Sequence, residues 1–283
     1  MILSGLWKKV ILATLLHEYG VADSFAEPER YSSLALWLSM FGYSVQLYCD
    51  FSGYTDMARG FSLLMGFQLP VNFQKPYAAT NLGDFWKRWH ITYSRWLRDY
   101  IYIPLGGSKG TSNQTSINLF ITFAICGFWH GATWGFVLWG CIHGIGLAAH
   151  KRHRDIRRSK GLPPVETTPQ EIIFGWLYTF LFVCLSRVVF QTPDLASSFV
   201  FYERMIVPSS GAGISLLIIP CILLGMQLHF WTPFDDIVKG IEKFQNNAQF
   251  PRQSLILFTV VFLLSFILLL RPSGIPPYLY FRF

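Results

Sequence analysis

The chain has 283 residues, 52% of them hydrophobic and only 14% charged, about half the ~25% charged share of a soluble domain, which excludes an ordinary water-soluble globule. Its net charge of +7 is gathered largely in one short stretch between apolar runs, without a flanking binding module, and so speaks against nucleic acid as a partner. Five cysteines, Cys49, Cys126, Cys141, Cys184 and Cys221, lack paired spacing and fall mostly in apolar runs, where they read as small packed hydrophobes.

Residues 1–16 form the first apolar stretch, interrupted by Lys8 and Lys9. Lysines at its centre and the lack of a small-residue cleavage site make it a retained segment, not a signal peptide. The second, 31–48, runs into Cys49-Asp-Phe-Ser-Gly-Tyr-Thr-Asp-Met-Ala-Arg59. Asp50 and Asp56 are costly so near a membrane unless paired, and Arg59, three residues beyond Asp56, is within reach on one helical face. An internal ion pair is expected. The alternative is a paired-carboxylate acid/base site, although nothing in the spacing fixes both groups around one bond.

Residues 81–102 come next. Asn81 and Asp84 have N-cap and N3 spacing, and Pro104 with Gly106-Gly107 closes the segment, so one helix of about five turns is predicted. Trp86, Trp89, Tyr93, Trp96 and Tyr100 would line one stripe, and Asp84, Lys87, Arg88, Arg95, Arg98 and Asp99 the opposite side. The pattern is that of an interfacial amphipathic helix at the cytoplasmic face. Its cations would meet lipid headgroups or hold a phosphorylated donor. His90 falls at the boundary between the faces, as a structural hydrogen-bonder or as a group reaching into a pocket.

Residues 117–149 carry no Asp, Glu, Lys or Arg, yet contain His130 and His143. A straight helix of that length would run roughly 50 Å against the ~30 Å of a hydrocarbon core, so a break or steep tilt is expected, with the glycine-rich surroundings of His130 as its place. Gly127, Gly131 and Gly135, and again Gly140 and Gly144, recur every fourth residue and offer small faces for close helix approach. An imidazole at membrane depth is either a helix-bridging hydrogen-bonder or an acid/base group that takes a proton from an attacking hydroxyl or thiol. Joint metal ligation by His130 and His143 is opposed by their 13-residue separation, which sets them ~20 Å apart on one helix, so no metal is expected. His90, from a separate segment that can fold back, is the better partner for His130.

Lys151, Arg152, Arg154, Arg157, Arg158 and Lys160, with only Asp155 against them, mark 151–170 as a basic cytoplasmic loop facing anionic headgroups. Gly161-Leu-Pro-Pro164 onward is the linker candidate, dividing a motif-rich 1–150 portion from a C-terminal 171–283 portion with apolar runs at 172–190, 214–231 and 255–270. The fold class expected is all-α, a polytopic membrane protein with five to seven crossings.

Six motifs in order, Asp50-Phe-Ser-Gly-Tyr-Thr-Asp-Met57, Pro76-Tyr77, Phe85-Trp-Lys-Arg-Trp-His-Ile91, Trp96-Leu-Arg-Asp-Tyr-Ile-Tyr-Ile-Pro-Leu-Gly-Gly107, Gly127-Phe-Trp-His-Gly-Ala132 and Leu138-Trp-Gly-Cys-Ile-His-Gly144, resemble the signature of the membrane-bound O-acyltransferase family, nearest its alginate O-acetylating branch. Ser186-Arg-Val-Val-Phe190 and the terminal Tyr278-Leu-Tyr-Phe-Arg-Phe283 extend the resemblance over nearly the whole chain. It implies a single domain over 1–283, a helical enclosure with a recess through which an acyl group passes from a cytoplasmic donor to an extracytoplasmic acceptor. It further implies His130 as the catalytic histidine and His90 as the second, with His143 a further family histidine of open role; Trp129, Asp50, Asp56, Arg88 and Arg95 are the candidate supporting residues beside them. Acetyl-CoA as donor substrate with no bound cofactor, a polysaccharide as final acceptor, a periplasmic or surface acetyltransferase as partner, and a multi-pass place among the lipids of the bacterial inner membrane are likewise implications of the resemblance.

The sequence departs from that branch at Arg59 and Val71, where relatives tend to carry an apolar residue and a glutamate. It also begins inside the family pattern, as the C-terminal part of the fold. The D-alanine transfer protein of teichoic acids shares the Trp-His and Trp-His-Gly motifs, although Pro104-Leu-Gly-Gly107 favours the alginate type. A non-catalytic scaffold for a partner enzyme is the alternative of a different class. A transporter would show intramembrane charges or paired repeats.

Overall fold

In the computed structural model, which describes residues 1–163 and 168–230, the described residues are helical apart from their connections and one isolated bridge between Tyr31 and Ala212. The expected span at 255–270, the end of that at 214–231, and the terminal Tyr278-Leu-Tyr-Phe-Arg-Phe283 lie outside the described residues. Contacts divide the described residues into two compact units, one of Met1–Ala22, Phe41–Pro70 and the described residues from Ile214 on, the other of Asp23–Met40 and the described residues between Val71 and Gly213.

In the first unit, α1 (Ile2–Leu6) and α2 (Ala13–Leu16) are joined by a wide π-turn over Trp7–Leu12. A kink at Gly20, with φ of 95°, precedes α3 (Ala22–Ala26), which begins the other unit. The long α4 (Ser33–Leu64) contributes its first turns to the second unit and the remainder to the first. Backbones touch where Gly5 faces Gly53, since a Cβ on Gly5 would stand 2.5 Å from the Gly53 carbonyl oxygen. This approach brings the two lysines onto the two aspartates: Lys8 pairs with Asp56 at 2.5 Å, and Lys9 pairs with Asp50. The expected ion pair is present with a different partner. Arg59 instead directs its Nε to the Leu69 carbonyl at 3.5 Å. The buried Lys8 needs a carboxylate, and the half-buried Asp56 is the one packed against it, whereas the half-buried Arg59 is turned to a backbone carbonyl.

In the second unit the segment 81–102 forms two short helices and not one: α5 (Leu82–Arg88), then α6 (Ile91–Leu97), followed by a π-turn over Arg98–Tyr102. Asn81 caps α5 as its spacing predicts, accepting from the Asp84 N–H at 2.8 Å. The aromatic stripe is split accordingly, with Trp86, Trp89 and Tyr93 buried and Trp96 and Tyr100 exposed. Next comes a helical hairpin of α7 (Ser112–His130) and α8 (Trp134–Ser159), broken at Gly131, within the glycine-rich stretch where the sequence places it. Gly127 and Gly140 make the hairpin close: a Cβ on Gly127 would meet the Phe136 carbonyl oxygen at 2.2 Å, and one on Gly140 the Phe123 carbonyl oxygen at 2.2 Å. Small residues thus let backbones touch without side chains between them.

The basic segment is helical through Ser159, so its cations ride the end of α8 where a loop is expected. Lysine and arginine are good helix formers, and the first breaker after them is Gly161. Asp155 is held there by Lys151 at 2.5 Å and by the Ser112 hydroxyl at 3.0 Å, and the ammonium keeps its carboxyl below the ordinary range. Beyond lie α9 (Pro169–Gln191), opened by a Thr168–Glu171 capping box, then α10 (Leu195–Ile206) and, in the first unit, α11 (Ile218–Phe230). Among the described residues, α9 alone is a helix long and apolar enough to cross a membrane.

Candidate active site

Two helix breaks carry the two motif histidines. The α5–α6 break consists of Trp89, extended at φ −99° and ψ 128°, and His90 in the left-handed region at φ 44° and ψ 55°. For a residue with a Cβ this conformation costs about 1–3 kcal/mol and persists only where surrounding contacts over-determine it. Those contacts come from the irregular stretch before α5. The Asn72 backbone carbonyl accepts from the Ile91 N–H at 2.9 Å, and its side-chain Oδ1 lies 3.2 Å from the Thr92 N–H and 3.2 Å from His90 Nδ1.

Trp89 is fixed from several sides. Its ring stacks on Phe85 at 5.7 Å and meets Phe73 edge-on at 5.0 Å, while the Arg187 guanidinium of α9 lies 4.5 Å from its centroid. Arg187, 4% exposed, also donates to the Tyr77 hydroxyl. A cation inside an apolar run is expensive unless partnered, and here the partners are two ring faces and a phenol. Arg187 is the sole charged residue in 172–190, a signal in the sequence to which no role attached beyond the resemblance. Asn72 had no such signal.

His130 is the last residue of α7 and is 6% exposed. Rings surround it: Trp129 at 4.9 Å, Trp139 at 5.2 Å, Phe190 at 5.1 Å, and Tyr93 and Phe136 each at 6.3 Å between centroids. Tyr93 is the link to the other histidine, since the His90 ring lies 5.1 Å from it. Trp129 stacks on the same tyrosine at 4.3 Å while remaining 52% exposed. Hence His90, Tyr93, Trp129 and His130, drawn from α6 and α7, share one aromatic cluster. Such walls exclude water and leave an imidazole in a medium where charge–dipole interactions are strong.

His143 is placed differently. Its Nδ1 accepts from the Trp86 indole N–H at 3.2 Å and its Nε2 lies 3.0 Å from the Ser186 hydroxyl, which in turn donates to the Val183 carbonyl at 2.9 Å. A nitrogen that accepts from an indole is unprotonated, so Nε2 carries the hydrogen and the ring is a neutral bridge among α5, α8 and α9. Both nitrogens are committed to packing the unit together. Of the remaining candidates, Arg88 pairs with Asp84 at 2.8 Å, Arg95 is exposed on α6, and Asp50 and Asp56 belong to the first unit with their lysines. Among the described residues no three His, Cys, Asp or Glu side chains gather as metal ligands would.

Residues 4–192, which hold all of these groups, match the membrane-bound O-acyltransferase family. The chain is 42% identical over 203 residues to a peptidoglycan O-acetyltransferase of Helicobacter pylori, covering 71% of this chain and 37% of that protein. It is 40% identical over 204 residues to the probable alginate O-acetylase AlgI of Pseudomonas aeruginosa, covering 72% and 37%. To the teichoic acid D-alanyltransferase of Bacillus subtilis it is 34% identical over 162 residues, covering 54% and 40%. The chain thus spans less than half the length of these curated relatives.

Proposed function

The chain belongs to the membrane-bound O-acyltransferase family, and on that premise we propose that it is a multi-pass inner-membrane subunit passing an acetyl group from cytoplasmic acetyl-CoA toward a secreted or cell-surface polysaccharide. The observation that carries this reading is the meeting of His90 and His130 on one tyrosine ring, each at a helix break. The names of its relatives, an alginate O-acetylase and a peptidoglycan O-acetyltransferase, support sugar hydroxyls as the final acceptor, and a periplasmic or surface acetyltransferase is the partner that would complete delivery.

His130 acts as general base. Its imidazole takes the proton of the attacking hydroxyl as that oxygen adds to the thioester carbon; the C–O bond forms, the C–S bond breaks, and the proton leaves with the thiolate as free thiol. The aromatic walls keep water from competing for the acyl carbon. His90 assists in proton movement. His143, with both nitrogens in use, serves the packing of the same unit.

The reading is tested with membranes containing the protein and its host partners. Label supplied as acetyl-CoA is expected to enter polysaccharide in an alkali-labile ester. Label entering from D-alanine in place of acetyl would establish the teichoic acid reading, and label from neither would leave a scaffold. The relay also has a side. A cysteine at Ser159, on the basic end of α8, is expected to resist an impermeant thiol reagent in intact cells and to react once they are opened. Labelling of intact cells would invert the orientation.

A further inference from the structure

Asn72 is 8% exposed and meets the His90 break through both its backbone carbonyl and its side-chain oxygen. Its side-chain amide has a determined orientation. The Thr92 backbone N–H, 3.2 Å away, can only donate, so the atom it faces is the amide oxygen and not the NH2 group. The Thr92 hydroxyl, at 3.0 Å, donates to the same oxygen. His90 Nδ1 stands 3.2 Å from that oxygen, and an acceptor there demands a hydrogen on Nδ1. A neutral imidazole has one N–H, so its lone pair is on Nε2.

We infer that Asn72 is a positioning residue, holding His90 in its left-handed conformation and in the Nδ1–H tautomer, so that any proton His90 takes or returns during acyl transfer passes through Nε2. The inference rests on the proposed part of His90 in proton movement. When Nε2 takes a proton, the O–H or S–H bond to it breaks, the Nε2–H bond forms, and the Asn72 oxygen steadies the resulting imidazolium through the hydrogen that never left Nδ1. Without that oxygen the ring is free to present either nitrogen, and part of the population would present N–H where a lone pair is needed. The other titratable or charged groups about His90 are Tyr93 on its own helix, His130 of α7 beyond Tyr93, Arg88, which is engaged by Asp84, and Arg187 of α9 on the far side of Trp89.

Nitrogen-15 NMR of histidine-labelled protein reads the tautomer directly, with the His90 signals identified by their loss in His90→Gln. The expected wild-type spectrum has a protonated Nδ1 and an unprotonated Nε2, and Asn72→Ala should give a mixture of the two tautomers with transfer reduced about tenfold or more. Asn72→Asp keeps an acceptor in place and adds a negative charge, which favours the imidazolium. The acid limb of its pH–rate profile should move upward by about a unit or more, a change that a purely structural role would not produce. An Nε2–H wild-type signal, or a pH profile unmoved in Asn72→Asp, overturns the inference. If Asn72→Ala does not fold, the wild-type spectrum and the aspartate variant still decide. Full transfer activity in His90→Gln alongside the expected wild-type tautomer would instead overturn the functional part given to His90, leaving the control of its protonation by Asn72 standing.

Discussion

His130→Ala is expected to lower polysaccharide O-acetylation by about 10²–10⁴-fold, the range supplied by a positioned general base, with the protein still present in the membrane. The imidazole ends α7 at the start of the Gly131 break and is walled by five aromatic rings, none of which has a nitrogen base to take its place. Truncation also leaves a cavity among those rings, with a cost in stability of its own. His130→Gln fills more of that space and is expected to be as inactive. Protein quantified in isolated membranes separates lost chemistry from lost fold. His90→Ala is expected to give a large but incomplete fall, because water can stand in for an assisting group where it cannot replace the base. Acetyl content retained in both His130 variants would remove this residue from the catalytic role.

Arg187→Ala is expected to reduce both thermal stability and transfer, the latter by about 10²-fold, as small displacements of a catalytic group do. The substitution takes away the cation on the Trp89 face, a contact of about 2 kcal/mol when desolvated, and the donor to the Tyr77 hydroxyl. Trp89 is then less constrained, and the strained conformation of His90, its immediate neighbour, loses one of its supports. Arg187→Lys tests whether charge alone suffices. An ammonium cannot lie flat on the indole while donating sideways to the phenol, so little rescue is expected. Unfolding temperatures in detergent and acetyl content per unit of membrane protein are the two readings. A lysine variant equal to wild type in both would show that the planar guanidinium is not required.

Which features could be read without the structure follows from the range of the forces involved. The break at Gly131 was legible because a charge-free run longer than a bilayer is thick must interrupt itself, and glycines mark where. Close packing of α7 on α8 was legible from the same glycines at four-residue spacing, and the Asn81 cap from its local spacing. These are properties of neighbours along the chain.

The continuous helix expected over 81–102 failed because its aromatic spacing runs unbroken through Trp89 and His90, while what breaks it is Asn72, 18 residues earlier, and Arg187, on another helix. Three-residue spacing pairs Asp56 with Arg59, whereas its partner in the structure, Lys8, lies 48 positions away, brought there by the touching backbones of Gly5 and Gly53. For His143, periodicity could give only its place on a helix. That both of its nitrogens are spent, on Trp86 and Ser186, was decided where α5, α8 and α9 converge. Local spacing thus determined where helices cap, approach and stop around His130, whereas burial determined which distant group satisfies each polar atom, because a buried charge or ring nitrogen takes whatever partner the packing brings within reach.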